Sequence, residues 1–409
     1  MVDDSGPGPG SAGAPSGPRP LEGSRVLEVA QNLAGPFCGR ILQDLGADVI
    51  KVEPPGGDAA RSWGPPFHQG AGTIFAFANV GKRSVVLDLK SSRGLEVLRA
   101  LIRTADVLVD ALRPGVMDGW GLDDAALDAL NPGLVRVQVL AYGEEGPLAG
   151  LPGYEPLMQA HGGVMANTGP SGGPPVRVGT SVVDMGTGMW GAIGALAALR
   201  ERDRTGVGGR VSGALFDTAV AWSGYHLLGA AAAGTIPEPM GTELAMICPY
   251  GTFPTADGEL MLAVGTDGLF RRLCTLLELG DLADDARFET NPDRVRNRRA
   301  LNQLVQAATR RHESRDLLER LRSGGVPCAP VKDVGELLAD PQLQASGMLE
   351  RVETPGEEDR LGVALPLRLG GRRNRPPTHV PGVGEHTREV LREVGVEPPD
   401  PPPGPEGDV

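Results

Sequence analysis

Strand-like and helix-like segments alternate along the first third of the chain, from Leu21 to Tyr142. The run SRVLEVA is typical of a short strand, and AGPFCGRILQDLGADVIKVE is typical of a turn, an amphipathic helix and a second strand. The same order returns twice before Tyr142. Repeated strand–helix–strand units favour a parallel sheet with helices on both faces. The sequence therefore predicts an α/β fold with a large, open, Rossmann-like domain.

The turn after the first predicted strand lacks the common nucleotide-binding loops. It is QNLAGP, without a GxGxxG fingerprint, and GxxxxGK[ST] does not occur in the chain. The formal net charge of −13 argues against nucleic acid as a partner, because binding a phosphate backbone needs a dense basic surface. The histidines show no HExxH or similar zinc spacing, so no metal site is predicted.

The pattern changes past residue 240, where YGTFPTADGELMLAVG has a hairpin signal at ADG and helix-like segments follow. Both ends of the chain are rich in proline, and the N-terminal end also in glycine and serine, which favours flexible tails. The predicted segments are a disordered tail at 1–20, the large Rossmann-like domain at 21–239, a small α+β domain at 240–325, a return to the large domain at 326–370 and a Pro-rich tail at 371–409.

The sequence predicts a cytoplasmic protein with no membrane partner. The N-terminus has neither the basic nor the apolar region of a signal peptide. The apolar stretch Thr218–Ile236 has nearly the length of a membrane span, but Tyr225, His226 and several glycines within it favour a buried or packed helix. The four scattered cysteines have no CxxC or framework spacing, which suits a reducing compartment.

One carboxylate, Asp184, stands between two segments that favour burial, in VGTSVVDMGTGMWGAIGALAAL. Aspartate is a preferred N-cap, so Asp184 is a candidate cap for the helix-like run that follows. It is also a candidate nucleophile, since a carboxylate at a helix N-terminus is stabilised as an anion. Gly186, Gly188 and Gly191 would allow a close approach of a bulky thioester to the backbone, tight helix packing, or both.

Several separated motifs, taken in order, resemble the family III CoA-transferases, the group that includes formyl-CoA transferase, carnitine CoA-transferase and the α-methylacyl-CoA racemases. The resemblance covers about Leu21 to Gly370. It implies a large Rossmann-like domain, a smaller domain and a homodimer of interlinked subunits. The motifs are LAGPFCGRILQDLGADVIKVEPPGGD, NVGKRSVVLDLKS, DALRPGVMDGWGL, LNPGLV, GYE, VVDMGTGMWGAIGALAAL and YGTFPTADGEL.

The resemblance implies that Asp184 attacks an acyl-CoA thioester and carries the acyl group and then CoA, as a mixed anhydride and an aspartyl-CoA thioester. Tyr154 and Glu155 of the GYE motif would position the acyl group. Coenzyme A enters as the acyl-CoA substrate, with an organic acid as its acceptor, and no permanent cofactor is implied. The implied CoA contacts are Leu33, Ala34, Ala78, Gly81, Lys82, Arg83, Ala111, Leu112 and Arg113, with the three cations as phosphate partners.

Two alternatives stay open at this point. The racemase branch of the family uses a histidine where this chain has Tyr154 and a carboxylate where it has Pro254, and these two departures disfavour racemisation. A CoA-binding protein without turnover is the other alternative. It is kept open by the loop GTELAMICPYG, which departs from the usual Gly-rich lid and would present Met246, Ile247 and Cys248 as an apolar cover.

Overall fold

The computed structural model describes residues 17–234, 236–353 and 358–398, and its contacts divide the chain into two compact units. The first unit comprises residues 1–158, 180–221 and 341–409, and the second comprises 159–179 and 222–340. The predicted N-terminal tail, 1–20, lies outside the described residues except for 17–20.

Thirteen strands occur in the described residues, and sixteen α-helices accompany them. The strands are β1 (Arg25–Val29), β2 (Asp48–Glu53), β3 (Phe67–His68), β4 (Ala71–Gly72), β5 (Arg83–Val86), β6 (Val107–Asp110), β7 (Val135–Leu140), β8 (Arg210–Ala214), β9 (Tyr250–Pro254), β10 (Glu259–Ala263), β11 (Cys328–Pro330), β12 (Leu349–Val352) and β13 (Arg360–Val363). The helices are α1 (Ala34–Asp44), α2 (Thr73–Asn79), α3 (Ser92–Thr104), α4 (Val116–Gly119), α5 (Asp124–Leu130), α6 (Glu155–His161), α7 (Val182–Thr205), α8 (Leu215–Trp222), α9 (Gly224–Ala233), α10 (Asp267–Leu276), α11 (Asn291–Arg296), α12 (Arg298–Thr309), α13 (Ser314–Ser323), α14 (Val334–Leu338), α15 (Pro341–Ser346) and α16 (Thr387–Glu393).

The first unit is built on a six-stranded parallel sheet in the order β5-β2-β1-β6-β7-β8. Successive side chains of a strand point to opposite faces, and both faces of this sheet are covered. Val26 of β1 belongs to an apolar cluster with α1 and α7, whereas its neighbour Leu27 belongs to a second cluster with α3 and α16. The predicted doubly wound α/β arrangement is therefore present. Two hairpins, β3-β4 and β12-β13, complete the strands of this unit.

The predicted Pro-rich tail, 371–409, is corrected by the structure over part of its length. Residues Thr387–Glu393 form α16, and its Val390 and Leu391 are buried in the core with α3. Arg83 of β5 forms ion pairs with Glu389 and Glu393 of the same helix. This stretch therefore folds because it brings two apolar residues and two counter-charges to the sheet. Residues 399–409 lie outside the described range.

The second unit has its own three-stranded antiparallel sheet, β11-β10-β9, packed against α10, α12 and α13. The predicted small domain, 240–325, falls inside this unit. The predicted return to the large domain at 326 is wrong for the next residues, because Ala329 of β11 pairs with Met261 of β10 and completes the small sheet. The strands at Tyr250–Pro254 and Glu259–Ala263 form the hairpin that ADG predicts.

Two long apolar segments differ from each other in burial. The stretch predicted to be one buried or packed helix, Thr218–Ile236, is divided between α8 and α9. Leu227 and Leu228 of α9 are exposed, so α9 is not buried within the single chain. Helix α7 is long and apolar enough to cross a membrane, but Ala192, Ala195 and Leu199 place it in the core against α1. A single helix of this kind is weak evidence for a membrane span.

Candidate functional site

The strand order of the large sheet creates a crevice at its carboxyl edge, between β1 and β6. The chain winds outward from β1 in one direction and from β6 in the other, and ligands of open α/β sheets bind at such a switch point. The loops that follow β1, β6 and β7 meet the start of α7 there and enclose a cavity of about 230 Å³. Its lining consists of Gln31, Asn32, Leu33, Ala34, Gly35, Ala111, Leu112, Arg113, Pro114, Val139, Leu140, Ala141, Ala149, Leu151, Pro152, Gly153, Tyr154, Asp184 and Leu215.

Asp184 lies in the first turn of α7 and is half-buried at this cavity. It is the third residue of the helix, and the N-cap position belongs to Ser181. The interpretation of Asp184 as the N-cap is therefore wrong, because α7 begins three residues earlier than a helix capped by Asp184 would begin. At the third position its carboxylate still benefits from the positive end of the helix dipole.

Glycines bring the elements around Asp184 into close contact. A Cβ on Gly188 would lie 2.6 Å from the carbonyl oxygen of Ala34 and 3.0 Å from the amide nitrogen of Cys38, so α7 touches the backbone of α1 at this level. A Cβ on Gly191 would lie 3.2 Å from the sulphur of Cys38. Of the two explanations for these glycines, helix packing is the one that the contacts support, and this packing holds Asp184 beside the start of α1.

The two residues of the GYE motif that were predicted to act in catalysis have different surroundings. Tyr154 lines the cavity with Asp184 and is 61% exposed. Glu155 begins α6, is 4% exposed and does not belong to the cavity lining. The structure therefore brings Tyr154, but not the carboxylate of Glu155, to the wall of the cavity.

Five of the nine predicted CoA contacts line the same cavity. Leu33 and Ala34 come from the start of α1, and Ala111, Leu112 and Arg113 come from the loop after β6. Arg113 is exposed, so its guanidinium is accessible to a phosphate. These five residues follow two adjacent strands, and the parallel pairing of β1 with β6 places them together.

The other four predicted contacts lie elsewhere, and Lys82 is the clearest correction. Its Nζ donates hydrogen bonds to Glu28 Oε2 at 2.7 Å, to the carbonyl of Pro36 at 2.8 Å and to Asn79 Oδ1 at 2.9 Å, and the residue is 1% exposed. Burial lowers the pKa of Lys82 to about 8, against the opposing effect of Glu28. A side chain held by three internal acceptors is not accessible to a phosphate.

Ala78, Gly81 and Arg83 are also engaged away from the cavity. Ala78 is fully buried in the apolar cluster of α1 and α7. Gly81 has a φ of 78° and donates its N–H to the carbonyl of His379 at 2.7 Å. Arg83 is occupied by ion pairs with Asp48 and α16. The NVGKRS motif therefore serves the folding of the first unit in this structure.

A second cavity of about 580 Å³ adjoins the first and was missed by the sequence analysis. The two share Arg113, Pro114, Leu140 and Ala149 in their linings. The larger one also contains Asp110, the last residue of β6, which is 7% exposed. Burial raises the pKa of Asp110 to about 6, although hydrogen bonds from the Leu112 N–H and Gln138 oppose the shift. The position of Asp110 directly before Ala111 at a strand end was the available signal.

The predicted apolar lid is corrected at one of its three residues. Cys248 is fully buried in the core of the second unit, with its sulphur 3.5 Å from Asn302 Oδ1, so it cannot cover a ligand. Met246 is 52% exposed. Arg298 stabilises the loop by donating hydrogen bonds to the carbonyls of Leu244 at 2.9 Å and Ala245 at 2.8 Å.

Among the described residues no cluster of three or more histidine, cysteine or acidic side chains could hold a metal ion.

Comparisons with known proteins agree on one family. The sequence profile described as "CoA-transferase family III" matches residues 21–387. The succinate–glutarate CoA-transferase of Agrobacterium fabrum is 39% identical over 92% of this chain and 96% of its own length. The succinyl-CoA:mesaconate CoA-transferase of Haloarcula hispanica is 36% identical over the same two shares. A solved structure of a CAIB/BAIF family protein from Brucella suis is 38% identical, covers 92% of this chain and all of its own, and superposes with a TM-score of 0.81.

Proposed function

Because the chain belongs to the family III CoA-transferases, we propose that Asp184 is the nucleophile of the CoA transfer that this enzyme catalyses. The observation that carries the proposal is the position of Asp184, half-buried in the first turn of α7 at the crevice where three strand ends meet. No other carboxylate belongs to the described lining of this cavity.

The proposed reaction exchanges acyl groups in steps of similar energy. A carboxylate oxygen of Asp184 attacks the carbonyl carbon of the thioester, and the C–S bond breaks. CoA departs as the thiolate, and the acyl group is now bound to Asp184 as a mixed anhydride. The thiolate then attacks the aspartyl carbonyl carbon, which releases the donor acid as a carboxylate and leaves an aspartyl-CoA thioester. An acceptor carboxylate then attacks the aspartyl-CoA thioester, which forms a second mixed anhydride and releases CoA thiolate again. The thiolate attacks the acceptor's carbonyl carbon in this anhydride, which gives the new acyl-CoA and restores the Asp184 carboxylate.

The residues around Asp184 suit the charge that develops in these steps. Each attack places negative charge on a former carbonyl oxygen, which preorganised N–H donors stabilise. The first turn of a helix has N–H groups without intrahelical partners. Ala34 and Gly35 occupy that turn of α1 and line the cavity, so their N–H groups are the proposed donors. Tyr154 is proposed to position the acyl group, with Glu155 beneath it at the start of α6.

The remainder of CoA is proposed to extend from the first cavity into the second. Arg113 lines both, and its fork of donors suits a phosphate group. Leu33, Ala34, Ala111 and Leu112 would contact the pantetheine end beside Asp184. The smaller cavity, at about 230 Å³, suits a short acyl group.

The proposed substrates are succinyl-CoA as donor and a dicarboxylic acid of four or five carbons as acceptor. The support is the names of the two relatives, which specify succinate with glutarate and succinyl-CoA with mesaconate. Gln31 and Asn32 contribute polar side chains to the otherwise largely apolar cavity and are suited to hydrogen-bond a second carboxylate.

We further propose that the enzyme works as a homodimer in the cytoplasm. Met189, Trp190 and Ile193 expose an apolar strip on α7, and Leu227 and Leu228 expose another on α9. Apolar surfaces of this kind are typical of subunit contacts. All four cysteines are free thiols, which is consistent with a reducing compartment.

The proposal is tested by intact-protein mass spectrometry after incubation with succinyl-CoA, on wild type, Asp184→Ala and Asp316→Ala. Asp316 is the matched control, because it is also the third residue of its helix, α13, but is exposed in the second unit. We expect a CoA-sized covalent adduct on wild type and Asp316→Ala, and none on Asp184→Ala. An adduct that persists in Asp184→Ala would refute the assignment. Bound CoA without an adduct on any variant would favour the two alternatives, a racemase or a CoA-binding protein without turnover.

A further inference from the structure

A cluster of buried charges lies beneath the loop that joins β1 to α1. Lys51 Nζ is 3.2 Å from Glu28 Oε1 and 2.9 Å from Asp58 Oδ2, and Lys82 Nζ is 2.7 Å from the other oxygen of Glu28. None of these four residues is more than 2% exposed. Burial alone would lower the pKa of Lys51, but Glu28 and Asp58 raise it, so the ammonium keeps its charge.

Three members of the cluster bond directly to the backbone of the loop or of the first turn of α1. Lys51 Nζ donates to the carbonyl of Ala30 at 2.7 Å, and Asp58 Oδ1 accepts the N–H of Asn32 at 3.2 Å. Lys82 Nζ donates to the carbonyl of Pro36 at 2.8 Å. These three bonds lie before, within and after the segment 31–35, and every residue of that segment lines the cavity with Asp184.

The loop needs such support because of the conformation of Asn32. Its φ is 68°, in the left-handed region, which asparagine tolerates better than most residues but which is still less favourable than an extended backbone. Asp58 Oδ1 also accepts the N–H of Ala60 at 2.9 Å, so the acceptor itself is fixed. Asp58, itself fixed by Ala60, therefore holds the loop in a backbone conformation that is unfavourable for Asn32.

Fold stability alone does not explain these charges. Desolvating ions is expensive, and apolar residues of the same volume often stabilise a core at least as well as a buried ion pair. Glu53 adjoins the cluster, because its Oε2 accepts the N–H of Asp58 at 2.8 Å. Its other oxygen meets an ordinary structural need, since Ser84 Oγ donates to Glu53 Oε1 at 2.6 Å. What distinguishes Lys51 and Asp58 is that both end on the backbone of a loop that lines the cavity.

We propose that Asp58 and Lys51 are positioning residues for the transfer reaction, which hold the Ala30–Asn32 backbone so that the N–H groups at the start of α1 face the acyl group before it binds. This inference rests on the proposed function of the cavity. Preorganised donors stabilise a transition state without reorganising during the reaction. A displaced loop would therefore slow the chemistry more than it weakens the binding of CoA.

The first test compares Asp58→Asn with Ser84→Ala in single-turnover reactions with succinyl-CoA. Asp58→Asn keeps an oxygen for the Asn32 N–H but removes the charge that fixes it against Lys51. We expect the rate of adduct formation to fall roughly 10–100-fold, with the Kd for CoA changed less than about 3-fold. Ser84→Ala is the matched control, because it removes a buried hydrogen bond beside the cluster, to Glu53, that does not end on the loop. It should lower the unfolding midpoint without changing the rate.

Equal rates in wild type and Asp58→Asn would overturn the positioning role. This failure is distinct from failure of the proposed function, in which wild type itself would form no adduct that depends on Asp184. A rate loss of the same size in Ser84→Ala would also overturn it, because a general loosening of the core would then explain both variants.

A second pair of variants covers the case in which Asp58→Asn does not fold. Asn32→Gly and Asn32→Ala both remove the amide, but only alanine is strained at a φ of 68°. If the cluster holds the loop, Asn32→Ala keeps the conformation, so its unfolding midpoint lies below that of Asn32→Gly while their rates agree within about 2-fold. If the loop is not held, alanine relaxes it. The midpoints would then agree, the rate of Asn32→Ala would fall below that of Asn32→Gly, and the proposal would be wrong.

Discussion

Asp110 is a buried carboxylate at the end of β6, and its effect on the free energy of unfolding depends on pH. Burial raises its pKa to about 6, whereas an unfolded aspartate titrates near 3.9. The folded state therefore binds the additional proton between these values, and stability is lost as the pH rises through that window. The loss from this one group is about 2–3 kcal/mol.

Asp110→Asn should remove this dependence. We expect the free energy of unfolding of wild type, minus that of Asp110→Asn, to fall as the pH rises from 4 to 6.5 and to stay constant above 7. Urea unfolding across this range measures both proteins. A difference that is flat from pH 4 to 7 would show that Asp110 titrates normally in the folded state.

Arg113 and Arg83 were predicted to bind phosphate on equal terms, and the structure separates them. Arg113 is exposed beside the cavity, whereas Arg83 is paired with Asp48 and α16. We expect Arg113→Ala to raise the KM for acyl-CoA roughly 10–100-fold with little change in unfolding midpoint, since a charge-assisted bond is worth about 1.5–3 kcal/mol. Arg83→Ala should lower the midpoint and leave KM unchanged. Steady-state kinetics and thermal unfolding of both variants test this difference. The reverse pattern would show that Arg83, and not Arg113, binds the phosphate of CoA.

At the scale of elements, the crossing of α1 and α7 determines the geometry of the crevice. Gly188 touches the backbone of α1, and a backbone carbonyl cannot move aside as a flexible side chain can. We expect Gly188→Ala to cost about 1–3 kcal/mol of stability through overpacking and to slow transfer by moving Asp184 away from Ala34. Urea unfolding and single-turnover rates would show both effects. Gly229→Ala is the control, since nothing lies within 4 Å of the added Cβ on α9.

Sequence patterns predicted the elements of the large sheet well, because apolar alternation and helical period are local signals. The strands around Val26 and Val107 and the helix at Ser92–Thr104 follow from them. Helix α16 was missed because its seven residues lie in a segment rich in arginine and proline. Its two apolar residues, Val390 and Leu391, are buried only by packing against α3, which is distant in sequence. Local pattern does not reveal partners that are distant in sequence.

The candidate site could be predicted in part for the same reason. Asp184, Tyr154 and the loops after β1 and β6 follow from motif order and strand ends. Lys82 was assigned to phosphate because the family resemblance implies CoA contacts in this motif, and the sequence does not show that Glu28 lies opposite it. This buried ion pair joins residues 54 positions apart, a separation that the periodic patterns of helices and strands do not reach.

At the scale of the whole molecule, the proposed homodimer predicts a solution mass of twice the 42.6 kDa chain. Light scattering after size exclusion measures this mass. Ile193→Glu places a charge in the apolar strip of α7, where the side chain is 51% exposed in the single chain. We expect it to shift the mass toward that of one chain. Arg200→Glu, an exposed charged residue of the same helix, should not. A wild type that elutes as a single chain would contradict the homodimer.

The buried state of Cys38 has a consequence for an enzyme that acts on CoA thioesters. Cys38 lies in the core beneath α7, fully buried, and its surroundings raise its pKa to about 12. A thiol that remains protonated and enclosed neither intercepts a thioester nor exchanges with a disulphide. In the proposed mechanism, CoA thiolate can therefore be released repeatedly without acylation of Cys38 or a mixed disulphide there, and oxidised CoA is chemically harmless at this residue.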